Sequence, residues 1–219
     1  MLLFFDTETT GLPKRWNTPA SVAPSNYPDI VSIAWILTDR MGTVISKAYH
    51  LVRPIDWVIS PEVTAIHKIS HAMADTYGLP LDDVMRRFMF DVERADMLVA
   101  HNIQFDQNVI NNALRWRLNQ TRMLEHTGKR LFCTMKNARM VVGLPGRFPG
   151  SIKMPKLSEM YTKLFGSEPT DVHNAEKDTE FMMKCFFEIW KPTDLPAVGP
   201  LQTNAIHPPI QTTLVLRLS

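Results

Sequence analysis

The chain has 219 residues, 45% of them hydrophobic and 21% charged, and its formal net charge is +2. This length suits one domain with a full hydrophobic core, or one domain plus a tail, and the composition is normal for a globular protein. The small charge excludes a general nucleic-acid coat, and two cysteines argue against a disulfide framework. No stretch approaches the roughly 20 apolar residues of a bilayer span, and no basic leader is present. We therefore expect a soluble, cytoplasmic protein.

Three strands are predicted first along the chain. The first strand, residues 2–7, begins with the apolar run of residues 2–5. Ile30–Thr38 alternates apolar side chains along one face, and residues 44–52 are a third β-prone stretch. A long proline-containing loop, residues 14–29, separates the first two strands. Because the other connections are short, we expect these strands to be antiparallel neighbours.

Helices dominate the rest of the chain. One helix should open at Pro61 with Ser60 as its cap, and further helices are predicted over residues 81–95, 105–118, 156–164 and 174–190, with a short strand at Met97–Ala100. This order predicts an α/β protein with a mixed central sheet flanked by helices.

The composition changes after residue 190. Five prolines between residues 192 and 209 rule out a continuous helix and indicate an extended tail, and residues 210–218 have the pattern of a strand. We therefore expect a domain over residues 1–191 and a proline-rich C-terminal tail over residues 192–219.

Two acids stand at the end of the first strand. Side chains alternate across a strand, so Asp6 and Glu8 share one face. Two crowded carboxylates repel each other, and burial makes their charged forms costly, whereas a divalent cation relieves both problems. The pair therefore indicates metal-dependent chemistry. The same residues also fit a strand that ends in a polar turn.

Two further acids lie on the apolar stripes of helices. Asp106 shares a helix side with Val109 and Ile110, and Asp178 lies on a stripe with Met182. Unpaired charges are disfavoured there, and no Lys or Arg is evident on either stripe, so each acid needs a cation. Oxygen ligands suit Mg²⁺ or Mn²⁺ and argue against zinc. Each acid alone also fits a first-turn residue favoured by the helix dipole.

His173 lies just before the last predicted helix, five residues ahead of Asp178. The pKa of histidine lies near neutral pH, which makes His173 a candidate general base for activating water beside a metal. Taken alone, it also fits a surface or capping histidine.

Three segments together resemble a known family. They are FDTETTGL at residues 5–12, AHNIQFD at residues 100–106 and HNAEKD at residues 173–178. In this order and spacing they are similar to the motifs of the DEDDh branch of 3′→5′ exonucleases, which includes polymerase proofreading subunits and ribonuclease T. The resemblance spans about residues 2–190. Lys68 stands where the family usually has Gly, and the tail has no counterpart.

The resemblance implies a ribonuclease H-like fold and hydrolysis of phosphodiester bonds at the 3′ end of DNA or RNA. Asp6, Glu8, Asp106 and Asp178 would hold two divalent cations, Mg²⁺ or Mn²⁺, and His173 would be the general base. The expected substrate is nucleic acid with a free, single-stranded 3′ end, and the product is a nucleoside 5′-monophosphate. Some members of the family are dimers, so a homodimer is possible.

The resemblance also implies a set of substrate contacts, namely Thr9, Leu12, His67, Ile69 and Asn102. Leu12 would be a wedge under the last base, although it also fits a core residue after a turn.

Aromatic and basic residues outside the motifs offer further contacts. Trp16 and Tyr27 could stack on a single strand or fold back onto the domain. Arg147, Lys153 and Lys156 could line the backbone path or form an ordinary solvated surface.

Two other functions remain open at this point. One is a catalytically silent subunit that binds nucleic acid, which the intact set of acids argues against, because a pure binder gains nothing from acids that repel phosphate. The other is a two-metal endonuclease on the same fold.

Overall fold

A computed structural model describes residues 1–170 and 172–191 of the chain. Five strands form one sheet, and their bounds are β1 (Leu2–Thr9), β2 (Ile30–Thr38), β3 (Val44–Leu51), β4 (Met97–Ala100) and β5 (Arg130–Cys133). The strand order is β3-β2-β1-β4-β5, with β1, β2 and β3 antiparallel and with β4 and β5 parallel to β1. The predicted mixed sheet is confirmed, and so is the antiparallel arrangement of its first three strands.

Eight α-helices are present in the described part of the chain: α1 (Pro61–His67), α2 (His71–Tyr77), α3 (Leu81–Arg94), α4 (Ile103–Asn112), α5 (Thr134–Asn137), α6 (Arg139–Val142), α7 (Leu157–Phe165) and α8 (Ala175–Ile189). The sequence predicted α1, α3, α4, α7 and α8 but missed α2, α5, α6 and strand β5. The helix predicted over residues 105–118 is α-helical only to Asn112 and continues as a π-helical segment, Ala113–Arg117. None of the described helices has the length and apolar character that a bilayer crossing requires.

Helices cover both faces of the sheet around β1. On one face the Phe4 ring packs edge-on against Phe186 of α8, with 5.2 Å between ring centroids. On the opposite face Phe5 packs against Phe88 of α3, at 5.5 Å. Each fully buried aromatic side chain contributes about 1.5–3 kcal/mol. Strand β1 therefore lies at the centre of the core, and the acids at its carboxyl end sit on a rigid element.

The long loop over residues 14–29 is tied to the helical layer. Trp116 donates its indole N–H to the Ala20 carbonyl at 2.7 Å, and the Ala20 amide donates to Asn108 Oδ1 at 2.8 Å. Arg117 binds both carboxylate oxygens of Asp29, at 2.7 and 2.8 Å. This loop is therefore fixed on α4 and the π-helical segment. The predicted tail, residues 192–219, lies outside the described residues.

Candidate active site

Three carboxylates meet on the sheet face that α8 covers. Asp6 and Glu8 project from β1, and Asp178 projects from the first turn of α8. One oxygen of each of these half-buried groups lies within 4.8 Å of the others. This set of oxygen donors fits a divalent cation such as Mg²⁺ or Mn²⁺. The predicted convergence of residues 6, 8 and 178 is therefore present.

Asp106 reaches the same end of β1 from helix α4. Its side chain is only 2% exposed, and its Oδ1 atom accepts hydrogen bonds from the Thr7 amide at 3.1 Å and the Thr7 hydroxyl at 2.7 Å. Strand β4 pairs with β1 only as far as Phe4, so Asp106 binds the β1 backbone beyond the end of β4. Asp106 thus lies beside the group of three carboxylates rather than within it. Thr7 thus supplies two donors to the Asp106 carboxylate that the sequence did not predict.

The four carboxylates hold their protons unusually tightly. Burial raises the pKa of Asp6 well above its ordinary value, and the charges of Asp106, Asp178 and Glu8 raise it further. Burial, followed by the charges of Asp178 and Asp106, raises the pKa of Glu8 to about 8. A bound divalent cation would reverse this effect by favouring the ionised forms.

In the two helical acids, hydrogen bonds oppose the effect of burial on the pKa. Burial raises the pKa of Asp106 to about 7, against the hydrogen bonds from Thr7. Burial raises the pKa of Asp178 to about 6, against a hydrogen bond from the His173 amide. The cluster as a whole is thus a set of acids that are costly to ionise without a cation.

His173 precedes α8 in a left-handed backbone conformation, with φ of 62°. Its amide donates to Asp178 Oδ2 at 3.1 Å, while its side chain is exposed. The cap of α8 is Asn174, whose side chain accepts from the amides of Glu176 and Lys177. Asn174 rather than His173 is therefore the cap of α8, and the exposed His173 imidazole does not bind the amides at the start of this helix.

A cleft of about 460 Å³ opens at the carboxylates. Asp6, Asp178 and His173 line it together with Asn102, which precedes α4 with φ of 65°. Asparagine tolerates this left-handed conformation better than most residues. The structure thus places Asn102, a predicted substrate contact, in the same cleft as the acids and His173.

The other predicted substrate contacts differ in exposure. Leu12 is 72% exposed, which contradicts the alternative that it is a core residue. Thr9 is buried and donates its hydroxyl to the Gly11 carbonyl at 2.7 Å. Ile69 is buried in a small apolar cluster with Val31, Ile59 and Ala74.

His67 is 4% exposed and has one unpartnered nitrogen. Its Nδ1 atom accepts from the Ile69 amide at 3.1 Å, so a neutral ring carries its proton on Nε2. Burial lowers the pKa of His67, which favours this neutral form. Nε2 has no hydrogen-bond partner, so His67 retains an unused donor.

The aromatic residues of the 14–29 loop have separate positions. Tyr27 is buried, so the interpretation that it stacks on substrate is wrong. Trp16 is half exposed, and its ring centroid lies 5.9 Å from that of Phe105, the neighbour of Asp106. A half-exposed indole is therefore held against the first turn of α4, the helix that carries Asp106.

Thr7 is a residue of the site that sequence reasoning missed. Its two hydrogen bonds fix the Asp106 carboxylate. The available signal was its position between Asp6 and Glu8, because alternation turns the Thr7 side chain away from those two acids, and its hydroxyl there meets Asp106 of α4.

Fold and site together define a ribonuclease H-like domain with an acidic cluster of the nuclease type. The family of RNase T exonucleases matches residues 3–186, so the chain belongs to this exonuclease family. The predicted membership in the DEDD exonucleases is thereby confirmed. No match was found among curated proteins.

Solved structures share this fold. Escherichia coli exonuclease I in complex with a dT13 oligonucleotide is 20% identical over 86% of this chain and 40% of that chain, with a TM-score of 0.66. Exonuclease X in complex with 5′ overhanging duplex DNA is 27% identical over 89% of this chain and 96% of that chain, with a TM-score of 0.55. The chain thus spans about two fifths of exonuclease I and nearly all of exonuclease X.

Proposed function

We propose that the protein is a metal-dependent 3′→5′ exonuclease, carried by residues 1–191, that removes nucleoside 5′-monophosphates from single-stranded 3′ ends of DNA or RNA. The observation that carries this proposal is the cluster of Asp6, Glu8 and Asp178, with Asp106 beside it. Four acids with raised pKa values in one site are costly to keep without a catalytic or metal-binding role. The family supports the same chemistry.

The metal ligands in this proposal are Asp6, Glu8, Asp106 and Asp178. When bound, two Mg²⁺ or Mn²⁺ ions would lower the pKa of water and stabilise the charge that develops on the phosphate and leaving oxygens. Asp106 keeps one carboxylate oxygen on Thr7 and has its other oxygen available for a cation.

His173 is proposed as the general base. Its side chain is exposed in the cleft, and its amide is held by Asp178, a proposed ligand. The imidazole would accept a proton from water as the water oxygen bonds to the phosphorus of the last phosphodiester. The bond to the 3′ oxygen of the preceding nucleotide then breaks, and the terminal nucleotide leaves as a 5′-monophosphate.

The proposed substrate contacts are Thr9, Leu12, His67, Ile69 and Asn102. The exposed Leu12 offers an apolar surface to the last base. The Nε2 donor of His67 has no partner among the described residues, but it is buried, so a contact with a sugar oxygen requires that it be uncovered. The similar structures of exonuclease I and exonuclease X both contain bound DNA, which supports nucleic acid as the ligand class.

A labelled oligonucleotide tests this proposal. DNA and RNA oligonucleotides carrying a label at the 5′ end are incubated with Mg²⁺, Mn²⁺ or EDTA, and the products are separated by length. We expect a descending ladder that requires metal. Asp6→Asn should abolish it, whereas Asp75→Asn, an exposed acid on α2, should leave it unchanged.

The other outcomes identify the alternatives. Immediate release of a labelled mononucleotide would mean 5′→3′ degradation, and internal cuts would mean an endonuclease. Binding of the oligonucleotide without metal-dependent cleavage would leave the silent binding subunit.

A further inference from the structure

The imidazole of His101 joins two segments on one side of the cleft. Its Nδ1 atom lies 3.0 Å from the hydroxyl of Thr134, at the start of α5, and its Nε2 atom lies 3.0 Å from the carbonyl oxygen of Pro155. His101 follows β4 directly, and Thr134 follows β5 directly. The ring thus links the carboxyl ends of two parallel strands to the segment before α7.

The partners of His101 define its tautomer. A carbonyl oxygen only accepts, so Nε2 carries the proton and donates to Pro155. Burial lowers the pKa of His101 to about 4, which keeps the ring neutral. Nδ1 is then an acceptor, and the Thr134 hydroxyl donates to it. His101 is therefore fully satisfied, and no proton remains for it to exchange with substrate.

The segment that His101 holds contains a basic residue at the edge of the cleft. Lys156 follows Pro155 directly, and both residues line the cleft with Asp6, His173 and Asp178. Lys156 is exposed. Its charge helps to lower the pKa of Glu159, but its ammonium forms no direct ion pair with any of the described residues, whereas Lys153 pairs with Glu159 at 2.5 Å. A positive charge beside an acidic cluster has an obvious use if the ligand is a polyanion.

We propose that Lys156 binds a backbone phosphate of the nucleic acid and that His101 is a positioning residue, which holds the Pro155 carbonyl so that Lys156 faces the cleft. This inference rests on the proposed function, and it adds a binding residue and its support to the carboxylates and His173. Lys156 would neutralise part of the negative charge of the strand, in addition to the part that cations bound at the carboxylates would neutralise. The contact is to phosphate, so it is independent of base sequence.

Binding is measured separately from cleavage. The probe is a phosphorothioate dT12 oligonucleotide with a fluorescein label at its 5′ end, titrated with the full chain in Mg²⁺ at several salt concentrations. Lys156→Gln should weaken binding about ten-fold, the low end for a hydrogen bond to a charged group. It should also reduce the slope of log Kd against log salt by about 0.7, the value for one phosphate on a single strand.

Two matched pairs test the support. The first pair is His101→Ala, which breaks the link, and His101→Gln, which keeps a donor and an acceptor. The second pair is Thr134→Val, which removes the hydroxyl, and Thr134→Ser, which keeps it. We expect His101→Ala and Thr134→Val to weaken binding and raise KM with little change in kcat, whereas His101→Gln and Thr134→Ser should retain most of the wild-type binding. If His101→Ala does not fold, the Thr134 pair decides the question.

A double-mutant cycle separates positioning from a general loss of structure. If His101 acts through Lys156, then His101→Ala should weaken binding less than two-fold in the Lys156→Gln background. Effects that multiply would overturn the proposal, and so would a wild-type protein that does not bind the oligonucleotide. A wild-type protein that binds but never cleaves would refute the exonuclease proposal while this pattern of binding could still hold.

Discussion

The acidic cluster should make the metal-free protein less stable as the pH rises. We consider the change Glu8→Gln, which removes one carboxylate and keeps its approximate shape. The pKa of Glu8 is about 8 in the folded protein against an ordinary value of 4.5. A carboxyl group whose pKa is raised by folding binds more protons in the folded state, so its contribution to stability falls between pH 4.5 and pH 8.

The size of the effect follows from the same values. The difference between 8 and 4.5 corresponds to about 5 kcal/mol for a group that titrates alone. Because the four carboxylates titrate together and Glu8 keeps some contact with solvent, we expect about half of this, roughly 2–3 kcal/mol. For a domain of this size, that corresponds to about 5–10 °C in Tm.

Thermal melts in EDTA at pH 5, 6, 7 and 8 provide the assay. The wild-type Tm should fall toward pH 8, and Glu8→Gln should reduce this fall. Added Mg²⁺ or Mn²⁺ should raise the wild-type Tm more at pH 8 than at pH 5, because the cation binds the ionised carboxylates. Glu180→Gln is the control, since a hydrogen bond from Lys47 lowers the pKa of Glu180 and keeps it ionised throughout this range.

One result would refute this reasoning. If Glu8→Gln lowered the metal-free Tm by the same amount at every pH, Glu8 would be a structural residue rather than a strained carboxylate. The same conclusion would follow from a metal-free wild type that gains stability between pH 5 and pH 8.

Three further substitutions test the site. His173→Ala should lower kcat at least 100-fold while Mn²⁺ binding, measured by calorimetry, survives; unchanged cleavage would remove His173 from the mechanism. Asp106→Asn should abolish cleavage and retain metal-free stability, because the Asn carbonyl still accepts from Thr7; a lower metal-free Tm would mean that the ionised carboxylate itself stabilises the fold. Trp16→Ala should weaken binding of single-stranded oligonucleotide by about 1–3 kcal/mol, with Tyr27→Phe as the buried control; equal binding by the wild type and Trp16→Ala would exclude stacking on Trp16.

The central strand and its acids could be predicted from local pattern alone. Alternation along β1 placed Asp6 and Glu8 on one face, and helical spacing placed Asp106 and Asp178 on buried stripes. These inferences depend only on the periods of 2.0 and 3.6 residues. They hold because strong apolar neighbours, such as Phe4 and Phe5, fix the strand in the core.

Other features depended on contacts between segments far apart in sequence. The bonds from Thr7 to Asp106 join residues 99 positions apart, and the contact of His101 with Pro155 spans 54 positions. Strand β5 is only four residues long and pairs with β4 for its whole length, so its pattern is too short to recognise. Tyr27 and Trp16 share one loop, and only packing decides which of them is exposed.

The position of the site follows from an unequal pairing of β1. Strand β2 pairs with β1 along the whole of β1, up to Thr9. Strand β4 pairs with β1 only as far as Phe4 of β1. Beyond Phe4, the edge of β1 that faces β4 therefore has no strand partner, and there the Thr7 amide donates to the Asp106 carboxylate instead. A longer β4 would satisfy the same backbone groups and displace the carboxylate from the cluster. The early end of β4 thus brings an acid from α4 to the acids of β1 and α8, and the same early end places His101 where it can hold Pro155.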